Sequence, residues 1–348
     1  MQIDRPFFQQ LLLLLVLSGL LVSCKQAPDQ AGLGTVTIDN INPRRDVAGN
    51  IIDAHDGCLQ YFNGRFYLYG TAYGTNDGYN GNNHFQVYSS PDLGQWKLEG
   101  DLIRLPPDKA IFYRPYVIYN ARTHKYVLWF NWYPLPMNFH DGREAVAVSD
   151  SPTGPFTLVT NKLHIPQSDS HPGDGSLFVD DDGTAYYIFN LLNYDFAVHI
   201  ARLTPDYLGL TDDIAPANEV GAEAPMLFRR NNYYYLLCGE LCSFCPEGSK
   251  VQYMIATSPM GPYTPKAFIN PRPPKGVPFI PAQETWVARL PMGGQSLYIW
   301  MADRWGSTPD GLKGHDFQFW SAPLEFTTNG DILPIERVGS YDIHWSND

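Results

Sequence analysis

Asp56, Arg114, Asp174, Glu223 and Glu284 each stand at the start of one of five similar stretches of this chain. The acids Asp56, Asp174 and Glu223 are far apart in sequence, and their chemistry matters most. Carboxylates brought into one half-buried pocket repel each other, and burial disfavours their charged forms. Such a set divides into groups of different pKa. Cleavage of a glycosidic bond uses that division, with a protonated acid at the departing oxygen and an ionised carboxylate on the opposite face of the sugar. A third carboxylate can orient the acid and hold its pKa up. Taken singly, each residue has an ordinary explanation. Asp56 precedes Gly57 and suits a turn, Asp174 follows Pro172-Gly173 and suits a loop cap, and Glu223 suits an exposed strand end. Their equivalent place in three repeats favours the joint catalytic reading.

The elements that must position these acids are legible as an internal repeat. One pattern recurs five times: a short strand, a polar turn, an aromatic-rich strand, then a third strand running into a Ser-Pro-like turn. The copies open at 56, 114, 174, 223 and 284, and their turn prolines are Pro91, Pro152, Pro205, Pro259 and Pro323. Spacing of this size suits a four-stranded blade with loops. The expectation is an all-β chain forming a single five-bladed β-propeller of four-stranded antiparallel blades over 46–348. In such a ring the first strand of each blade lines the central channel, so their ends converge on one mouth. The repeat also reassigns Asp180-Asp181-Asp182-Gly183, which resembles a calcium loop. It fills the turn position held elsewhere by Phe62-Asn63-Gly64 and by Arg229-Arg230-Asn231-Asn232, and its acids are contiguous rather than alternating, so a hairpin turn is expected.

Composition agrees with many short strands: aromatic residues reach 14% and charged residues only 17%. A formal net charge of -12 argues against nucleic acid or an anionic membrane surface as partner, since both need clustered Lys and Arg. A neutral ligand that stacks on aromatic faces, such as an oligosaccharide or polysaccharide, fits better, bound by a monomer. Cys238, Cys242 and Cys245 are spaced like an iron–sulfur site, but a disulfide among these and Cys58 is the expectation, its pairing open. Three clustered thiols without a well-placed histidine make a weak zinc site.

At the N-terminus an apolar run from Leu11 to Val22 ends in Ser23-Cys24. It is too short to span a membrane and reads as a cleaved signal over 1–23. The segment resembles bacterial lipoprotein signals, in which lipidated Cys24 becomes the new N-terminus, followed here by a linker over 24–45. The mature protein is then exported and held to a membrane by its lipid anchor alone.

The acids and their surroundings resemble glycoside hydrolase family 43, five-bladed propellers acting by inversion, over about Asn42 to Pro334. In that family the base precedes the first hairpin, where Asp56 sits ten residues before Phe66-Tyr67. The third blade reads Asp-Pro-Ser-x-Phe, matched by Asp174-Gly175-Ser176-Leu177-Phe178, which implies that Asp174 is the pKa modulator. The fourth opens Glu-Gly-Pro, matched by Glu223-Ala224-Pro225, which implies that Glu223 is the general acid. Tyr113-Arg114-Pro115 takes the place of a Trp-Ala-Pro segment, so Tyr113 is expected to supply an aromatic wall. His55, Trp129, Asn131, Gln283 and Arg304 are further candidates for shaping the sugar subsite. Trp129 and Asn131 alternate with Phe130 on a strand, so one of them can equally pack between blades, and Arg304 can equally pair with Asp303.

The strings Ala54-His55-Asp56-Gly57, Gln283-x-Thr285 and Ala302-Asp303-Arg304-Trp305 resemble the exo-β-1,3-galactanase branch most. That branch lacks the base aspartate and uses a fifth-blade glutamine, which Gln283 matches. It also favours glutamates where this chain has Tyr113 and Thr71. The resemblance therefore implies an exo-acting arabinofuranosidase, galactofuranosidase or xylosidase before a galactanase. A non-catalytic glycan-binding lipoprotein is the remaining alternative. A retaining, fructan-acting propeller would carry Asn-Asp-Pro-Asn and Glu-Cys motifs that are missing at the matching positions. Some family members hold a channel calcium near a blade-five histidine. His315 falls near that blade but out of register, the chemistry requires no cofactor, and the sequence assigns no metal ligands.

Overall fold

The structure is a computed structural model that describes residues 33–79, 81–105, 110–163, 165–166, 171–192, 196–218, 221–271, 280–292 and 294–346. Cys24 and the expected signal segment lie outside the described residues. The first described strand, β1 (Leu33–Asp39), is followed by blade one: β2 (His55–Phe62), β3 (Arg65–Ala72), β4 (His84–Ser90) and β5 (Lys97–Asp101). Blade two is β6 (Ala110–Asn120), β7 (Lys125–Pro134), β8 (Arg143–Ser149) and β9 (Thr157–Thr160). Blade three is β10 (Pro172–Val179), β11 (Ala185–Leu191), β12 (Ala197–Leu203) and β13 (Leu210–Asn218). Blade four is β14 (Glu223–Arg230), β15 (Tyr233–Gly239), β16 (Val251–Ala256) and β17 (Thr264–Phe268). The fifth has three strands, β18 (Gln283–Met292), β19 (Gln295–Arg304) and β20 (Phe317–Trp320), and the last strand, β21 (Ser340–Ser346), pairs antiparallel with β1.

This is the expected five-bladed propeller, with two differences at its seam. Residues 33–39, expected within a linker, form β1 because Val36 and Ile38 face inward between blades one and five while β21 supplies their backbone partners. Ile343 and Trp345 of β21 join the same core as Phe66 of blade one and Met301 and Trp320 of blade five. The outer edge of β20 is met by the Asn40 side chain, whose amide exchanges hydrogen bonds of 2.9 and 3.0 Å with the backbone of Trp320.

The hairpins form where the polar turns were expected. Asn63 and Gly64 both adopt positive φ, as a two-residue turn between β2 and β3 requires. Asp180–Gly183 is a hairpin turn too: Gly183 donates to the Asp180 carbonyl, and the Asp180 carboxylate is held by Arg229 and Tyr234, each at 2.6 Å. Among the described residues, four hydrophobic clusters fill the spaces between blades, one spanning blades one to three.

Every inner strand carries one extra residue near its N-terminal end. The register slips by one between His55 and Cys58, Tyr113 and Tyr116, Pro172 and Gly175, Glu223 and Met226, and Glu284 and Trp286. Such bulges twist a strand and re-aim its side chains. Asp56, Arg114 and Ala224 occupy the same bulge position, all with φ between 48 and 55°. The three acids therefore do not share one register, as their repeat positions had suggested. Counted back from the first residue after the bulge, Glu223 stands one place before the Asp56 position and Asp174 one place after it. The bulge makes up the difference by turning successive residues toward the channel mouth.

Candidate active site

Asp56, Asp174 and Glu223 line one cavity of about 410 Å3 at the bulged ends of the inner strands, together with Arg114 and Gln283. A larger concavity of about 880 Å3 is lined by Asn270 and Ile280 from the connection between blades four and five and by Glu325, and none of these acids lines it.

Asp56 is almost fully buried, and its environment is built from three blades. Its backbone N–H donates to Asp303 Oδ2 at 2.6 Å, Tyr73 donates its hydroxyl to Oδ2 at 2.6 Å, and the Arg114 N–H approaches Oδ1 at 3.3 Å. Burial raises its pKa to about 6, although hydrogen bonds from Thr71 and Tyr73 pull the other way. The residue after it must be small: a Cβ on Gly57 would collide with the backbone carbonyl of Tyr69. Gly57 is thus required by the bulge, and Asp303 restrains the backbone just before it.

Glu223 is half-buried. Its Oε2 accepts the Ser243 N–H at 2.6 Å. Burial and then the neighbouring charge of Asp174 push its pKa up to about 7, against the opposing pull of Ser243 and Arg114. Asp174 accepts the Ala224 N–H on Oδ2 at 2.9 Å, so it grips the backbone adjoining Glu223. Arg114 is buried at the centre of this set. It donates to the Gly175 carbonyl of blade three and, at 2.8 Å, to the Tyr116 hydroxyl, which itself donates to the Thr285 carbonyl of blade five. Burial opposes its charge, but Tyr116, Asp174, Asp56 and Glu284 outweigh that and raise its pKa. The guanidinium offsets part of the mutual repulsion of the acids.

The expected subsite residues divide. Tyr113 and Gln283 line the cavity. The Tyr113 hydroxyl donates to the Gly78 carbonyl, and Gln283 accepts the Trp305 indole N–H at 2.8 Å. His55 does not line it. It is fully buried behind Asp56, with its Nδ1 3.0 Å from Asp303 Oδ1 and its ring against Tyr73 and Trp305. Burial works against its charge, yet Asp303, Asp53 and Asp56 raise its pKa to about 9. Trp129 also lies away from the cavity, since its side chain packs with Tyr187 between blades two and three and donates to the Tyr207 carbonyl at 2.8 Å. Asn131 is buried and donates to Glu144 at 3.0 Å and to the Gly173 carbonyl at 2.7 Å, bracing the residue before Asp174. Arg304 projects over Phe317 instead of pairing with Asp303 or reaching the cavity.

Several residues that bear on the site carry no repeat signal. Glu144 is buried with its Oε2 accepting from Asn131 and Tyr187, and burial raises its pKa to about 8. Tyr79, Tyr133 and Phe244 contribute aromatic wall. The cysteines resolve into a Cys242–Cys245 disulfide, with Cys58 and Cys238 buried as free thiols. Among the described residues no group of three or more His, Cys, Asp or Glu is arranged to hold a metal ion, and His315 pairs with Asp310 at 2.7 Å.

The model of glycosyl hydrolases family 43 matches residues 53–272, from just before Asp56 to beyond the fourth blade. The chain belongs to that family. It is 25% identical to a solved β-1,3-galactosidase of family 43, covering 89% of this chain and 64% of that one with a TM-score of 0.77. It is also 25% identical to an exo-β-1,3-galactanase from Clostridium thermocellum, covering 87% of this chain and 66% of that one with a TM-score of 0.74. A further relative is the arabinoxylan arabinofuranohydrolase of Bacillus subtilis (strain 168), 30% identical in an alignment of 152 residues that covers 35% of this chain and 28% of that enzyme. The chain thus matches little more than a quarter of that arabinofuranohydrolase and about two thirds of the two solved enzymes.

Proposed function

We propose that this family 43 hydrolase is an inverting, exo-acting glycosidase in which Asp56 is the general base, Glu223 the general acid and Asp174 the residue that keeps Glu223 poised. One observation carries the reading: carboxyl groups from blades one, three and four line a single small cavity. Asp56 takes a proton from water, and the water oxygen bonds to the anomeric carbon from one face. The bond to the departing oxygen breaks on the other face as Glu223 hands that oxygen its proton, and the configuration inverts. The cavity is near the small end of ligand pockets, which suits a terminal sugar better than the middle of a chain.

For the sugar we favour arabinofuranosyl, galactofuranosyl or xylosyl units. Thr71 is wholly buried and the Tyr113 hydroxyl is already engaged by Gly78, so neither offers the polar partner that a galactopyranosyl hydroxyl finds in the galactanase branch. The second reading, an exo-β-1,3-galactanase, is favoured by the solved relatives and by Gln283 in the cavity. A panel of aryl arabinofuranosides, galactofuranosides, xylosides and galactosides separates the two. Proton NMR of the first-formed anomer tests inversion, and Glu223→Gln should abolish turnover while sugar still binds. Binding without any turnover by the unaltered protein would leave only a glycan-binding role.

We further infer export of a monomer anchored through lipidated Cys24, on the strength of the apolar run Leu11–Val22 before Ser23-Cys24. Metabolic labelling with a fatty acid should mark the full chain, and Cys24→Ser should lose the label.

A further inference from the structure

The short loop between β15 and β16 bears on the acid more directly than any motif does. Ser243 sits in it, between the two bonded cysteines, and its N–H is the 2.6 Å donor to Glu223 Oε2. The Ser243 hydroxyl donates to the Glu240 carbonyl at 3.0 Å and meets the Ser249 hydroxyl at 3.1 Å, so the amide is held from both ends of the loop. This fit depends on Gly239: a Cβ there would stand 2.5 Å from the Ser243 oxygen. The next residue, Phe244, lines the cavity along with Cys242. Its ring is backed by Trp305, at 4.9 Å between centroids, and by the Lys313 ammonium 3.7 Å from its centre.

We propose that the Cys242–Cys245 loop is a positioning element for the general acid, with the Ser243 amide deciding which Glu223 oxygen carries the proton and Phe244 closing the sugar cavity beside it. This rests on the reading of Glu223 as the acid. In a neutral carboxylic acid the carbonyl oxygen is the stronger acceptor, so the N–H at Oε2 favours the carbonyl there and the proton on Oε1. The amide also favours the ionised form of Glu223, as Arg114 does, whereas burial and Asp174 favour the neutral one. Tyr79 and Tyr133 also feel the charge of Glu223, and Asp56 and His140 line the same cavity. Of the two bonded cysteines, Cys242 is exposed, while the free thiols are buried, so a reductant meets the loop first.

The test compares oxidised protein, protein reduced until two further thiols titrate, and the double variant C242S/C245S. All three are assayed on the best aryl glycoside across pH. With the loop opened, kcat should fall about tenfold or more, the scale of losing a hydrogen bond to a charged group. The alkaline limb should move upward because a donor that favours the carboxylate has been weakened. KM should rise as Phe244 leaves the wall. A fall in kcat with the alkaline limb unmoved would reduce the disulfide to a fold-stabilising clip and overturn the proposal, and so would unchanged kinetics. If C242S/C245S fails to fold, the reduced protein still decides. Should Glu223→Gln keep full activity in the oxidised protein, the acid assignment itself is wrong and the loop's role falls with it.

Discussion

Asp303 Oδ2 holds the backbone amide of Asp56 at 2.6 Å, and its other oxygen binds the ring of His55 at 3.0 Å. One fifth-blade carboxylate thus fixes both a first-blade bulge and the cation beneath it. Asp303→Asn keeps the shape but removes the charge that sustains the His55 cation. The Asp56 backbone should then loosen and kcat fall roughly ten- to a hundredfold, the scale of misplacing a reacting group slightly. The fold should survive, so a KM close to the parent's and a cooperative melt must accompany the loss. Unchanged kcat would show that the bulge holds itself.

In the proposed mechanism the two central acids set the working pH: Asp56, raised to about 6, must be ionised, and Glu223, raised to about 7, must be protonated. The kcat/KM profile should climb through about pH 6 and decline through about pH 7, a narrow bell. Because the acids interact, these limbs belong to the set as a whole. Asp174→Asn removes a negative neighbour of Glu223, so its pKa should drop and the alkaline limb move to lower pH. A limb that stays put would dismiss Asp174 as a modulator.

Stability should decline as the solution becomes alkaline. The folded pKa of His55 lies above its ordinary 6.5, at about 9, so its charged form stabilises the fold fully below about 6.5 and that contribution disappears as pH passes about 9. Fully expressed, it amounts to roughly 3 kcal/mol. Glu144, raised from 4.5 to about 8, has the same sign: stability falls as pH climbs from about 4.5, where only the unfolded chain ionises, and that loss is complete by about pH 8. Melting temperatures between pH 6 and 9 should fall steadily, and His55→Gln should flatten the upper part of the curve.

Glu144→Gln and Glu144→Ala should behave differently. At neutral pH the acid is mostly protonated, and glutamine retains an oxygen to accept from Asn131 and Tyr187, so its cost should stay within about 1 kcal/mol. Alanine leaves the Tyr187 hydroxyl and one of the Asn131 N–H groups without an acceptor and should cost roughly 2–4 kcal/mol, with a fall in kcat because Asn131 also braces Gly173. Thermal unfolding beside kcat measures both.

Trp129 and Phe244 should separate packing from binding. Trp129→Leu should lower stability by about 2–4 kcal/mol and leave KM nearly unchanged, since the ring lies between blades. Phe244→Ala should raise KM severalfold and barely move the melt. The reverse pattern would exchange their roles.

The blades and the converging acids were legible because hairpin turns and aromatic-rich strands repeat with the blade. The bulges were not. They depend on left-handed φ at Asp56, Arg114 and Ala224, residue types with no common signature, and so the acids looked aligned when they are staggered. Strand alternation could not tell Trp129, facing a neighbouring blade, from a side chain facing sugar. Glu144 begins a third strand and Ser243 acts through its backbone amide, so neither leaves a mark that composition or spacing can reveal. His55 was noticed for its place beside Asp56, but its depth is a property of the folded ring.

The pairing of β1 with β21 has a consequence for how the ring is completed. The first and last described strands clasp each other in the gap between blades one and five, and Trp345 sits against Phe66 there. Blade one therefore gains its final neighbours only once residues near 345 have arrived, so the ring cannot be sealed in the order in which it is synthesised. The grip of Asp303 on the Asp56 amide needs only β19, so the bulge at the channel mouth can be fixed before this outer clasp is joined.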